Sequence, residues 1–110
     1  MIYNQAFAEY PVVQEWGPAM SIVPLNIREF EVLDGETGEM VRMWYSDVVE
    51  KVVNPITVDS IVEAAINSEF TEAEQKYIIR NIDNDSDALV KKYKALVATV
   101  KQEAKDAGYK

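Results

Sequence analysis

Residues 55–108 carry the pattern of three short amphipathic helices in succession, and this pattern constrains the fold more than any other feature of the chain. Apolar residues recur there every three or four positions, which places them on one side of a helix. The three apolar stripes are Val58, Ile61, Val62, Ala65 and Ile66; Ala73, Tyr77, Ile78 and Ile82; and Leu89, Tyr93, Leu96, Val97, Val100 and Ala104. A helix with one apolar face must bury it, so the three are predicted to pack together and against a further element.

Residues typical of helix ends stand where these helices would begin and stop. Thr57 precedes the first stripe as a candidate N-cap, and the first helix is expected to end near Glu69. Residues 71–74 read Thr-Glu-Ala-Glu, a capping-box pattern that predicts the start of the second helix. Gly108 is a natural stop for the third helix.

The stretch before these helices predicts a β-hairpin. Phe30 and Val32 alternate with acidic residues, residues 34–38 supply turn formers, and apolar residues alternate again from Val41 to Tyr45. The five-residue spacer leaves the strand register open. The valines of residues 48–53 either extend the second strand past a bend near residues 46–47 or form another strand.

Residues 1–26 give no clean period, and Pro11, Pro18 and Pro24 each remove a backbone donor. We expect a short first element there, followed by an extended, turning segment. The 110 residues suit one domain. The fold class predicted is therefore α+β: a single domain over residues 1–110, with a hairpin-containing part (1–55) packed against three short helices (56–108).

The net charge of −8 is concentrated in the first three quarters of the chain. Residues 1–82 hold 14 acidic and 5 basic residues, whereas residues 83–110 hold 5 acidic residues and 6 lysines. A surface of that sign repels phosphate, so nucleic-acid binding is not expected. The chain has no apolar run long enough for a membrane span and no secretory signal, so a cytoplasmic protein that does not bind membranes is the simplest expectation.

The alternating acids Asp83, Asp85 and Asp87 match the opening of a calcium-binding EF-hand loop. The match then fails, because the sixth position is Ala88 instead of glycine and the twelfth is Lys94 instead of glutamate. We favour a role in capping helix ends, with weak cation binding as the alternative.

The chain has neither histidine nor cysteine, which removes the commonest general base, nucleophile and soft metal ligands. It also has no glycine-rich phosphate loop and no serine in a nucleophile-elbow context. The available carboxylate pairs are Glu29/Glu31, Glu36/Glu39 and Asp47/Glu50, and each is expected to be solvated surface. No catalytic, cofactor-binding or metal-binding residue is assigned, and a non-enzymatic protein is expected.

Aromatic residues offer a candidate interaction surface, comprising Trp16, Trp44 and Tyr45. Trp44 and Tyr45 are adjacent on a predicted strand, so they should point to opposite faces, and self-association is an open alternative there. The lysines of the last helix are expected to be a solvated face, with a phosphate-binding stripe as the minor alternative. They are Lys91, Lys92, Lys94, Lys101 and Lys105.

About half of the chain resembles an uncharacterised family of small proteins encoded in phage and prophage regions of Bacteroidetes. The resemblance rests on residues 54–57 (Asn-Pro-Ile-Thr), 61–66 (Ile-Val-Glu-Ala-Ala-Ile), 69–71 (Glu-Phe-Thr) and 79–81 (Ile-Arg-Asn), before a lysine-rich final helix. In that family an aromatic residue precedes a serine or threonine cap and acids, which residues 70–72 fit. The resemblance implies a location near tail-morphogenesis genes; the N-terminal half does not match.

Three functional hypotheses follow. The first is a phage-derived protein acting through protein–protein contacts in tail or virion assembly. The second is an acidic regulator or decoy that binds a basic host or phage protein, which would make its binding sensitive to salt. The third is a carboxylate-dependent enzyme, which would need acids converging in a concave site.

Overall fold

The computed structural model describes the backbone of residues 2–110 and the side chains of residues 5–110. Four strands are followed by three helices, so the protein has the predicted α+β class. The elements are β1 (Ile2–Phe7), β2 (Gln14–Glu15), β3 (Met20–Leu33), β4 (Met40–Val53), α1 (Val58–Glu69), α2 (Glu72–Arg80) and α3 (Ala88–Asp106).

The strands form one antiparallel sheet in the order β1-β4-β3-β2. Strands β3 and β4, each of 14 residues, make a long central hairpin. The pair Met20 and Val53 lies at its base, and the pair Leu33 and Met40 lies at its tip. Strand β1 pairs with β4 as far as Trp44 and does not reach the tip. Strand β2 pairs only with the base of β3.

The predicted hairpin is confirmed, but its strands extend well beyond the segments expected. Strand β4 continues past residues 46–47 to Val53, so the first of the two alternatives for the valines is correct. Pro24 lies inside β3, where a break was expected. The ladder between β2 and β3 ends at Ile22, so no pairing with β2 requires an N–H from Pro24.

Two bulges let apolar residues on both strands keep facing the helices. Asn26 and Lys51 have positive φ angles of 49° and 58°, and the β3–β4 register shifts beside each of them. Because a bulge adds one residue to one strand, Val49 and Val52 both reach the core although they are three residues apart. The sequence pattern alone did not predict these bulges.

The helix boundaries follow the predicted caps. The Thr57 side chain accepts from the N–H of Ser60 at 3.0 Å and thereby starts α1. At α2, Thr71 accepts from the N–H of Glu74 at 3.2 Å, while the Glu74 carboxylate accepts from the Thr71 N–H at 2.9 Å. The predicted capping box is thus present. The third helix is followed by Gly108 with φ 94°, as its stop signal predicted.

Among the residues whose side chains are described, the core forms two clusters joined at α3. The larger cluster packs α1 and α3 against the base of the hairpin and comprises Val23, Leu25, Val49, Val52, Val58, Ile61, Ala64, Ala65, Val100 and Ala104. The smaller cluster joins the three helices through Phe70, Ile78 and Val90. Leu96 of α3 packs against both clusters. The helices therefore stabilise the hairpin base and one another.

The outer half of the hairpin lies beyond this core. Continuous burial ends at Leu25 in β3 and begins at Ser46 in β4. The helices therefore pack against one face of the hairpin at its base, whereas the residues nearer the tip lie outside the core. The Cα radius of gyration is 16.6 Å, and the molecule measures 56 × 34 × 23 Å. A compact domain of this length has a radius of gyration of about 13 Å.

No helix within the described part of the chain is long and apolar enough to cross a bilayer.

Candidate functional site

The projecting half of the hairpin, residues 28–45, is the candidate site and is called the arm below. It is a two-stranded ribbon, because the ladder with β1 reaches only Trp44 and the ladder with β2 lies at the base. In water an isolated two-stranded ribbon is marginally stable, and its open edges can accept another chain. Its side chains therefore decide what the arm can bind.

One face of the arm continues the core face of the sheet and is apolar beyond Arg28 at its root. In β4 this face runs outward from buried Val49, and alternate residues toward the tip share it. Its cross-strand pairs, from root to tip, are Arg28 with Tyr45, Phe30 with Met43, and Val32 with Val41. We call this the helix-side face of the arm.

Aromatic stacking organises this helix-side face. The rings of Phe30 and Tyr45 stack with centroids 4.3 Å apart and planes 23° apart. Tyr45 nevertheless remains 40% exposed, and Val32 and Val41 near the tip are also exposed. Contiguous exposed apolar residues of this kind are typical of a surface that contacts another molecule.

The opposite face, called the outer face, combines charged and apolar residues. Its cross-strand pairs are Glu29 with Trp44, Glu31 with Arg42, and Leu33 with Met40. Arg42 Nε lies 2.8 Å from Glu29 Oε1, an exposed ion pair that contributes little to stability. Leu33 and Met40 are 66% and 58% exposed. The outer face therefore also offers apolar contact area, within an acidic surrounding.

Polar contacts fix the root of the arm. The Asp47 carboxylate accepts from Arg28 Nη2 at 3.5 Å and from Asn26 Nδ2 at 3.4 Å. Arg28 Nε also donates to the Asn26 carbonyl at 3.2 Å. On β4 the buried Ser46 hydroxyl donates to the Leu25 carbonyl at 2.9 Å. These contacts hold the bulge and so set the direction in which the arm leaves the core.

The structure places the predicted interaction residues in two regions. Trp44 and Tyr45 lie on opposite faces of the arm, as their adjacency predicted. Trp44 is half-buried and contacts Tyr10 edge to face, with centroids 6.1 Å apart. Trp16 lies in the turn before β3, at the other end of the hairpin, where its N–H donates to the Met20 carbonyl. The three predicted residues therefore do not form one surface.

An open groove of about 510 Å³ lies between residues 10–13, the β3 bulge and the end of α3. Glu103 and Tyr109 both line it. Burial raises the pKa of Glu103, the Asp47 charge raises it further, and Arg28 opposes the shift. Burial also raises the pKa of Tyr109. The groove could admit a small polar molecule, and none of the carboxylate pairs considered in the sequence lines it.

The acids of residues 83–87 form the connection between α2 and α3. Asp87 caps α3, its carboxylate accepting from the N–H groups of Leu89 and Val90 at 2.9 and 3.1 Å. It also accepts from the Tyr77 hydroxyl. Asp85 accepts from Lys94 Nζ at 2.6 Å, and this bond lowers the pKa of Asp85. The predicted capping role is confirmed for Asp87, whereas Asp85 instead pairs with Lys94.

The predicted carboxylate pairs lie in different places. Glu29 and Glu31 share the outer face of the arm, and Glu36 and Glu39 belong to its turn. Asp47 lies at the root. Within the described residues, no group of three or more acids, histidines or cysteines is arranged to hold a metal ion.

Sequence reasoning missed most of the helix-side face, namely Arg28, Phe30, Val32, Val41 and Met43. Their alternation with polar residues was visible, but alternation predicts only that one strand face is apolar. Whether a helix covers that face depends on where α1 and α3 end against the sheet, and no local pattern encodes that.

No protein-family model, curated protein sequence or solved structure matches the chain. The resemblance to a phage-encoded family therefore stays a prediction, and the geometry of the arm carries the functional proposal.

Proposed function

We propose that the protein is a non-enzymatic assembly component that binds a protein partner through the helix-side face of its arm. The observation that carries the proposal is the apolar row of this face, which projects past the core without a helix over it. Phe30, in the middle of this row, stacks on Tyr45 at its root. Aromatic side chains in such positions commonly dominate the energy of an interface.

The kind of partner is proposed from the sequence resemblance. A component of a phage tail or virion fits both that resemblance and a ribbon that can insert between neighbouring subunits. Such a contact would bury mainly apolar surface and should survive moderate salt, because screening weakens charge pairs far more than apolar contacts.

The test is an affinity capture of the tagged protein from its induced native host, at low and at moderate salt, read by mass spectrometry. The variant combines Phe30→Thr with Tyr45→Thr, because threonine is β-branched and keeps strand propensity while removing both rings. The control is Ile79→Thr, which removes an exposed apolar side chain of α2, 72% exposed and outside the arm.

We expect tail or virion proteins to be recovered at both salt concentrations. Recovery should fall roughly tenfold or more for the double variant, as loss of central aromatic contacts costs at least about 1.4 kcal/mol. The Ile79→Thr control should recover these proteins as well as the parent does. Equal recovery by the parent and the double variant would contradict the proposal.

A second candidate function is an acidic regulator of a basic protein. The excess of 14 acidic over 5 basic residues in positions 1–82 favours it. This function predicts that a basic partner is recovered only at low salt. It also predicts that the double aromatic variant binds this partner as well as the parent does.

A further inference from the structure

The arm and α3 of the same chain carry opposite net charges. The arm contains five acids, Glu29, Glu31, Asp34, Glu36 and Glu39, and two basic residues, Arg28 and Arg42. Arg42 pairs with Glu29, so the acids nearer the tip carry the excess negative charge. Residues 88–102 contain four lysines and no acid: Lys91, Lys92, Lys94 and Lys101. Within a protein of net charge −8, an uninterrupted lysine segment of this kind is the exception.

The lysines form a stripe along one side of α3. Lys91, Lys94, Lys101 and Lys105 recur at steps of three, seven and four, which places them on one helix face. All four are exposed, as is Ala98, which lies between them. The core-facing residues of α3 lie on other sides of the helix. Lys94 Nζ also lies 2.6 Å from Asp85 Oδ1 within the same chain. The stripe is thus a basic surface with Ala98 near its centre.

The outer face and tip of the arm complement this stripe in chemistry. Leu33 and Met40 are the most exposed apolar residues of the arm, and acids surround them. Apolar side chains of this size can pack over small residues such as Ala98, and over the aliphatic stems of lysines. The carboxylates around them would then meet the ammonium groups.

The two surfaces also match in length. Five residue steps from Glu29 to Asp34 span about 17 Å along a strand. Ten residues from Lys91 to Lys101 span about 15 Å along a helix. The acids of the arm can therefore face the lysines of one α3 in sequence.

We propose that the protein self-associates head to tail, with the outer face and tip of the arm of one copy lying on the lysine stripe of the next. The contact joins two different surfaces, so it is heterologous and produces rings or open filaments instead of closed two-fold dimers. It leaves the helix-side face free for the partner of the proposed function, which involves different residues.

The expected strength follows from the size of the ribbon. The arm face measures about 20 Å by about 10 Å, well below the roughly 800 Å² per partner of a stable interface. Association of the purified protein should therefore be weak and should depend on salt and on protein concentration.

The test is sedimentation velocity of the purified chain over a range of concentrations, at low salt and at about 0.3 M salt. The arm variant carries Glu31→Lys and Glu36→Lys, and the helix variant carries Lys91→Glu and Lys101→Glu. Both variants change exposed side chains. The control carries Asp59→Lys and Glu63→Lys on α1, which makes the same change in net charge as the arm variant.

At low salt the parent and the control should form oligomers larger than a dimer as concentration rises, and the apparent dissociation constant should rise at least tenfold at about 0.3 M salt. Each charge-reversal variant alone should stay monomeric. An equimolar mixture of the two should associate again, because the unaltered arm of the helix variant can meet the unaltered stripe of the arm variant.

A parent that stays monomeric at every concentration would overturn the inference. So would a mixture that does not recover association, or an arm variant that associates better than the parent because its total negative charge is smaller. None of these outcomes affects the capture experiment with Phe30 and Tyr45, so the two proposals fail separately.

Discussion

At the scale of single residues, the pKa values of two carboxylates in this protein are shifted in opposite directions by their surroundings. Asp87 accepts three hydrogen bonds, and the bond from Tyr77, followed by those from Val90 and Leu89, lowers its pKa below the ordinary value of 3.8. Glu103 instead has a raised pKa, chiefly because it is partly buried in the groove. The two groups should therefore affect stability with opposite dependence on pH.

The first prediction concerns Asp87. Because its folded pKa is lowered, its ionised form contributes stability above the ordinary value of 3.8, and that contribution is lost as pH falls through the folded pKa. Asp87→Asn should lower the melting temperature at pH 7, and this difference from the parent should shrink on acidification to pH values near 3. Thermal melts followed by circular dichroism measure both effects. Asp83→Asn, at an exposed position in the same connection, is the control and should melt like the parent at pH 7.

The second prediction concerns Glu103. Because the pKa of Glu103 is raised in the folded state, its contribution to stability is fully present below the ordinary value of 4.5. That contribution is lost as pH rises through the folded pKa. At neutral pH its charge is therefore unfavourable, and Glu103→Gln should raise the melting temperature slightly. The difference should vanish below the ordinary pKa, where the parent is also neutral. Glu63→Gln, on the exposed side of α1, is the control and should leave the melting temperature unchanged at both pH values. A Glu103→Gln variant less stable than the parent at pH 7 would contradict the prediction.

At the scale of elements, α3 holds the molecule together because its apolar residues contact both core clusters. Val100 and Ala104 pack with the hairpin base, and Val90 packs with Phe70 and Ile78. The sequence stripe of α3 predicted which residues face inward. It could not predict that one helix would bridge two clusters, because that depends on how α1 and α2 lie against it.

The third prediction uses this bridging position. Leu96→Asp places a charge against both clusters and should cost about 3–5 kcal/mol, a large share of the roughly 5–15 kcal/mol that stabilises a domain. Urea unfolding should show an unfolded or barely folded chain. Ala98→Asp, on the exposed side of the same helix, should cost only about 1 kcal/mol or less. Similar stabilities for the two variants would show that Leu96 does not join the clusters.

The same distinction applies to the candidate site. The alternation around Phe30 and Tyr45 was readable in the sequence, and so was the placement of Trp44 on the opposite face from Tyr45. Their solvent exposure was not readable, because an identical pattern describes a strand covered by a helix. Trp16 was grouped with Trp44 by residue type alone, and the hairpin separates the two.

At the scale of the whole molecule, the arm makes the protein elongated. Its Cα radius of gyration of 16.6 Å exceeds the value of about 13 Å for a compact domain of this length. The extra extension serves no core packing, since the described core residues lie at the hairpin base and in the helices. Such a shape suits a molecule whose arm contacts other subunits.

The fourth prediction shortens the arm. Replacing residues 31–42 by Asn-Gly joins the paired Phe30 and Met43 through a two-residue turn of the type that suits hairpins. The shortened protein should melt within about 4–8 °C of the parent, the shift that about 1 kcal/mol produces. Small-angle scattering of the monomer at moderate salt should give a radius near 17 Å for the parent and a clearly smaller one for the variant. An unchanged radius would mean that the arm lies along the helices in solution.

The sequence by itself determined the features that short stretches of chain encode. Thr57, Thr71 and Asp87 start the helices because a side-chain oxygen can satisfy free N–H groups a few residues away. The hairpin turn and the alternation of its strands are local in the same sense. Only the tertiary structure decided how far the hairpin extends beyond the helices and where the bulges at Asn26 and Lys51 realign its faces. It also decided which charged residues lie on separate surfaces. These features depend on contacts between residues distant in sequence, and no short-range period records them.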